Sequence, residues 1–274
     1  MAILDFGPAD RSPDLLFLHA NGFNALTYRR ILATLADRYR ILAIDQRGHG
    51  STTLPTRIDD RTDWDDFRDD LLALLTVMDI RSVVLAGHSM GGASCLGAAA
   101  RAPERIRRML LLDPVILSRE MIDGAGHGER PHSPLIEGAR RRRAEFASRA
   151  EAFEAYRRRS AFAGWPDDML ADYVADGFHD LANGQVRLAC EPRWEASTFL
   201  AQANDPWSDF AATRCPIEII KADHGSTCRT EGQEAYLTGG GRITLETVLG
   251  ASHFLPMERP ELATERLASA LAAD

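Results

Sequence analysis

The stretch Val83-Val84-Leu85-Ala86-Gly87-His88-Ser89-Met90-Gly91-Gly92 decides the fold. Four apolar residues read as a buried strand. Gly-His-Ser-Met-Gly follows, and then an alanine-rich run predicts a helix through Ala100. A serine between two glycines at a strand-to-helix turn is the sequence form of a nucleophile elbow, with the hydroxyl of Ser89 exposed at the turn. Gly87 and Gly91 stand where strand and helix crowd each other and a Cβ would clash. The helix begins at the serine, so its free N–H groups and positive end face any negative charge that develops there.

Working outward, Leu15-Leu16-Phe17-Leu18 and Arg40-Ile41-Leu42-Ala43-Ile44 read as buried strands on the N-terminal side. The first ends in His19-Ala20-Asn21-Gly22-Phe23, a turn-prone loop, and a helix is expected from Tyr28 to Ala36. The second ends in Asp45-Gln46-Arg47-Gly48-His49-Gly50. A helix carrying Phe67, Leu71, Leu74, Leu75 and Met78 at helical spacing follows, with Thr62 or Asp63 as candidate caps. Beyond the elbow, Arg108-Met109-Leu110-Leu111-Leu112 reads as another strand and stops at Asp113-Pro114. Alternating strands and helices, with strands too continuously apolar for a half-exposed sheet, predict a parallel sheet covered on both faces.

From about Ser118 to Pro206 the rhythm breaks into helical blocks, and no strand is expected. Cys215–Ile220 and Ile243–Val248 restore strands, and Glu261–Ala272 closes as a helix. The expected organisation is an α/β core in two parts, 1–117 and 207–274, with a helical cap at 118–206. Such an insertion lies over the carboxyl ends of the strands, where open α/β sheets bind ligands.

The 274 residues are 45% hydrophobic and 26% charged, with a formal net charge of −8. The acidic balance argues against nucleic acid or an anionic membrane surface as the main partner. No run is long and apolar enough to span a bilayer, and the N-terminus has no secretory pattern. Cys95, Cys190, Cys215 and Cys228 form no Cys-x-x-Cys pair and read as reduced cysteines of a cytoplasmic protein. There is no Walker loop, dinucleotide fingerprint or metal-ligand cluster, so no cofactor and no metal is expected. Arg140–Arg143 and Arg157–Arg159 read as solvated helix faces.

Over nearly its whole length the chain resembles the α/β-hydrolase superfamily, and most of all its small bacterial members with a helical cap. Four motifs carry the resemblance: Leu18-His19-Ala20-Asn21-Gly22-Phe23, Asp45-Gln46-Arg47-Gly48-His49-Gly50-Ser51, Gly87-His88-Ser89-Met90-Gly91-Gly92 and Ser252-His253-Phe254-Leu255-Pro256-Met257-Glu258. They are specific for the fold and much less so for the substrate. The resemblance implies Ser89 as nucleophile and His253 as its base, with the oxyanion held by the N–H groups of Met90 and Asn21. Ala20 stands where the family usually has glycine, and the Asn21 side-chain amide is a second possible donor. The family usually places its acid shortly after the strand that follows the cap. Here that position falls on Gly225. Two carboxylates remain for the role: Asp113, at a strand end from which some members supply the acid, and Asp223, two residues early.

His88 reads as a packing or pocket-lining residue, and His19 as a support of the oxyanion loop. Phe23, Trp165 and Phe254 are candidate pocket-lining residues, although core packing explains them equally. The expected activity is hydrolysis of a carboxylic ester or related acyl compound, a small-molecule substrate, through an acyl-enzyme. Lactone hydrolysis and carbon–carbon bond hydrolysis use the same triad and stay open. So does a non-enzymatic ligand-binding role, favoured by the missing carboxylate at Gly225.

Overall fold

Alternate residues of the central strands face two separate apolar layers. In the computed structural model, which describes residues 1–126, 134–201 and 204–273, Leu15 and Phe17 join one core cluster while Leu16 and Leu18 join the other. The same alternation runs through Ile41–Ile44, Val83–Ala86 and Met109–Leu112. This is why those runs are continuously apolar: helices cover both faces of the sheet. Each fully buried aliphatic side chain contributes roughly 1.5–3 kcal/mol.

The strands are β1 (Ala2–Phe6), β2 (Leu15–Leu18), β3 (Ile41–Asp45), β4 (Val83–His88), β5 (Ile106–Leu112), β6 (Glu145–Phe146), β7 (Phe178–Asp180), β8 (Val186–Leu188), β9 (Ile217–His224) and β10 (Ile243–Ser252). Seven form one sheet in the order β1-β3-β2-β4-β5-β9-β10. Only β1 runs antiparallel to its neighbour, pairing Ala2 with Asp45 and Phe6 with Ile41. β4 lies at the centre between β2 and β5, so the turn after it opens at the carboxyl edge of the sheet.

Several expectations need adjusting. The segment after β2 is a short mixed helix, Ala25–Tyr28 and Ala33–Leu35 being 3-10 turns around Arg29–Leu32. The next helix spans Asp65–Val77 with Trp64 at its cap, while Asp63 still accepts from the Asp65 N–H at 3.1 Å. The elbow helix is Met90–Arg101 and the last is Pro260–Ala272.

The insertion between β5 and β9 is helical in the main, but it is not strand-free. β6, β8 and β7 form a small antiparallel sheet, missed in the sequence because each strand is only two or three residues long. Residues 127–133 and 202–203 of the expected cap lie outside the described residues. The helix Pro206–Ala212 already packs Trp207 and Phe210 into the core layer beneath the elbow helix. Among the described residues no helix is long and apolar enough to cross a membrane.

Candidate active site

Ser89 sits at the tip of the β4 turn with φ 56° and ψ −121°, a conformation that L residues rarely adopt. Close packing enforces it. A Cβ on Gly91 would stand 2.2 Å from the carbonyl oxygen of Leu18, and one on Gly87 would stand 2.5 Å from the Gly91 backbone. The elbow helix therefore lies almost against β2. Strain of this kind persists only where the surroundings over-determine it.

His253 reaches Ser89 from the loop after β10, its Nε2 lying 3.0 Å from Ser89 Oγ. On the other side of the ring, Nδ1 donates to Asp113 Oδ2 at 2.6 Å. Asp113 ends β5 and also has positive φ, 39°. Its Oδ1 accepts from the Ala222 N–H at 2.8 Å and the Ser226 hydroxyl at 2.6 Å, and its Oδ2 from the Thr227 N–H at 3.1 Å. Burial alone would push this carboxyl upward. The hydrogen bond and positive charge of His253, with the donors around it, outweigh burial and hold it below the usual carboxylate value. The loop that carries His253 is itself anchored: Glu258 accepts from the Ser252 N–H at 2.7 Å and from its hydroxyl at 2.5 Å.

Asp223 takes no part in this arrangement. β9 continues to His224, so Asp223 is still in the strand, exposed, and accepts from the Gly250 N–H at 3.1 Å. Gly225 has φ +58°, and nothing lies within 4 Å of where its Cβ would be. The end of β9 and the turn after it, through Ala222, Ser226 and Thr227, grip the Asp113 carboxylate instead of supplying one.

The loop after β2 brings Asn21 to the same edge. Among the described residues, the backbone N–H groups of Asn21 and Met90 donate to no protein acceptor. The side-chain amide of Asn21 donates to the Glu195 carbonyl at 3.1 Å, which ties this loop to the insertion. Ala20 has no left-handed backbone, so glycine is not required there. His19 supports the loop as expected: Nδ1 donates to the Ala20 carbonyl at 2.8 Å and Nε2 accepts from the Gln46 N–H at 2.9 Å.

His88 does not line a pocket. It is fully buried, and both ring nitrogens are used, Nδ1 with the Tyr28 hydroxyl and Nε2 with the His253 carbonyl, each at 2.7 Å. Phe23, Trp165 and Phe254 do come together. Phe23 stacks on Phe254 with centroids 6.0 Å apart, and Trp165 meets both rings at 5.4 and 5.7 Å. Phe162 and Tyr173 complete the group. Trp165 Nε1 is buried with no acceptor among the described residues.

Sequence reasoning missed the support behind the Asn21 loop. Arg142 is no solvated residue: it pairs with Glu195 at 2.5 Å, and their side chains are only 11% and 9% exposed. Its guanidinium also donates to the hydroxyls of Tyr156 and Tyr173, and Tyr173 donates on to the Gly22 carbonyl at 3.3 Å. A run of four arginines carries no signal of which one turns inward. Arg140, Arg141 and Arg143 are exposed, each beside a local glutamate.

A serine on a strained turn, a histidine against it and a buried carboxylate behind, at the carboxyl edge of a mostly parallel sheet, define the architecture of an α/β hydrolase. The chain belongs to the alpha/beta hydrolase family, whose model matches residues 15–266. It is 22% identical over 251 residues to 2-(acetamidomethylene)succinate hydrolase of Mesorhizobium japonicum, covering 91% of this chain and 84% of that one. A crystal structure of E-2-(acetamidomethylene)succinate hydrolase superposes with a TM-score of 0.80 at 20% identity, covering 99% of this chain and 94% of that one. A thermophilic esterase from Thermogutta terrifontis gives 0.67 at 20% identity, with 98% and 91% covered. The enol-lactonase from Burkholderia xenovorans gives 0.68 at 21% identity, with 99% and 96% covered. At these identities the solved structures establish the shared fold.

Proposed function

We propose that this protein is a serine hydrolase that cleaves a carboxylic ester or related acyl substrate through Ser89, His253 and Asp113. The observation that carries the reading is the continuous hydrogen-bonded line from Ser89 Oγ through the His253 ring to Asp113. Asp113 fixes the ring with its proton on Nδ1, leaving Nε2 free to take the serine proton. Ser89 Oγ then attacks the substrate carbonyl, and the Asn21 and Met90 N–H groups receive the developing oxyanion. His253 returns the proton to the leaving group, and an acyl-enzyme remains. Water, deprotonated by His253, attacks it and releases the acid and free Ser89.

Phe254 packs beside His253 and gathers Phe23, Phe162 and Trp165 around it, and this ring group supports an apolar substituent beside the scissile bond. The segment 118–206 supplies Phe162 and Trp165 and acts in this reading as the cap. The ligand-binding alternative rested on the missing carboxylate at Gly225, and Asp113 in contact with His253 removes that support. Lactones remain in the substrate range because ring opening uses the same acyl-enzyme.

The test is covalent labelling with a fluorophosphonate probe, wild type against Ser89→Ala, followed by a panel of esters, lactones and 2-(acetamidomethylene)succinate. Labelling that is lost in Ser89→Ala, with turnover of an ester, supports the proposal. A folded wild type that is neither labelled nor active overturns it.

A further inference from the structure

The loop carrying Asn21 and the loop carrying His253 come from opposite sides of β4, and one buried line of hydrogen bonds joins them. The Ala20 N–H donates to Tyr28 Oη at 3.2 Å, Tyr28 Oη meets His88 Nδ1 at 2.7 Å, and His88 Nε2 meets the His253 carbonyl at 2.7 Å. The ends of this line fix every role in it. A peptide N–H can only donate and a carbonyl can only accept. His88 Nε2 must therefore carry the proton, Nδ1 must accept, and the Tyr28 hydroxyl must donate to it while accepting from Ala20. No member can reverse without leaving a buried polar group unpaired.

We propose that Tyr28 and His88 are a positioning pair that sets the separation of the oxyanion loop and the base loop, so that the Asn21 N–H and His253 engage one substrate carbon together. The proposal rests on the serine-hydrolase reading above. Ala20 is joined to Asn21 by a single peptide, so holding the Ala20 N–H orients the neighbouring donor. The His253 carbonyl is part of the backbone that carries the base. Both attachments are to main chain, which side-chain rotation cannot relax. Phe23 packs against both Tyr28 and His88 and covers the line on that side. Burial keeps His88 neutral, its pKa pushed down to about 3, and the nearby His253 ring, 5.0 Å between centroids, opposes its protonation further once His253 is charged. The line thus keeps its polarity through the catalytic cycle.

The experiment compares wild type, Tyr28→Phe, His88→Leu and His88→Gln by thermal melting, by kcat and KM on p-nitrophenyl butyrate, and by inhibition with phenylboronic acid, whose tetrahedral adduct needs the oxyanion donors. Tyr28→Phe removes one oxygen and His88→Gln keeps a donor and an acceptor. Misplaced reacting groups predict kcat lower by roughly 10- to 100-fold in Tyr28→Phe and His88→Leu, with KM within about twofold and boronate affinity reduced in parallel. His88→Gln recovers at least part of the rate lost in His88→Leu. Wild-type kcat in Tyr28→Phe, an effect on KM alone, or a Gln variant no better than Leu overturns the proposal. If a folded wild type is neither labelled by fluorophosphonate nor active, the serine-hydrolase reading fails first and takes the pair's role with it.

Discussion

Asp113 and His253 stand 140 residues apart in the chain and 2.6 Å apart in space. Asp113 also collects hydrogen bonds from Ala222, Ser226 and Thr227, so it is held from the far side by the loop after β9. Asp113→Asn is expected to lower kcat on the order of 10⁴-fold, because an amide there favours the wrong imidazole tautomer. Asp223→Asn keeps activity within about threefold, since its carboxylate contacts the Gly250 N–H and not the base. Steady-state rates of the two variants check this. The reverse ranking would place the acid at Asp223.

Glycine matters at two of these positions for very different reasons. Gly91→Ala puts a Cβ 2.2 Å from the Leu18 carbonyl oxygen, against backbone that cannot step aside. A loss of stability of about 3 kcal/mol or more is expected, with little properly folded protein. Gly225→Ala meets no atom within 4 Å and suffers only from its φ of +58°. The expected cost is about 1–2 kcal/mol. Urea unfolding of the two variants measures the contrast, and equal losses would contradict the packing described for the elbow.

Acid should unfold the protein from an unusually high pH. Burial pushes His88 down to about 3, His19 to about 4 and His49 well below the ordinary histidine value. On unfolding, each takes up a proton below about pH 6.5. The unfolded chain then binds more protons than the native one, so stability rises with pH in this range and falls as pH drops from about 6.5. His88 and His19 alone give a slope near pH 5.5 of roughly 2.5 kcal/mol per pH unit, and His49 adds to it in the same sense. Buried carboxylates with raised values, such as Asp209 and Glu218, act in the opposite sense at lower pH. Urea midpoints at pH 7, 6 and 5 test this, and an unchanged midpoint would refute it.

Among the described residues, Glu195 is the ion-pair partner of the buried Arg142 guanidinium. Glu195→Gln leaves that charge uncompensated and is expected to cost about 3–5 kcal/mol. Removing both charges, in Arg142→Met with Glu195→Met, should cost less than Glu195→Gln alone. Equilibrium unfolding of the three proteins decides it. Additive losses in the double variant would show that the pair is not coupled.

Much of this was legible because the sheet is covered on both faces, which makes β2, β3, β4 and β5 continuous apolar runs. The elbow declared itself through two glycines and a serine at fixed spacing. The acid could not be chosen from sequence because nothing marks where β9 stops. It runs on to His224, which keeps Asp223 in the strand and leaves Ser226 and Thr227 to hold Asp113. β1 was missed as a short edge strand, and β6 to β8 are shorter still. Arg142 and Tyr28 escaped notice for another reason. Their importance lies in long-range burial, and neither charge nor aromaticity at one position reports what will close over it.

The insertion grips the Asn21 loop from behind: the Glu195 carbonyl accepts from the Asn21 amide, the Tyr173 hydroxyl donates to the Gly22 carbonyl, and the Tyr173 carbonyl accepts from the Asn24 amide at 2.9 Å. On the reading proposed above, the segment that shapes the substrate's surroundings also buttresses the turn that carries Asn21, which makes selectivity and rate inseparable modules. A grafted insertion that lacked Tyr173 and Glu195 in register would slacken the turn it was meant to serve. Any successful exchange has to carry those two anchors along as part of the cassette.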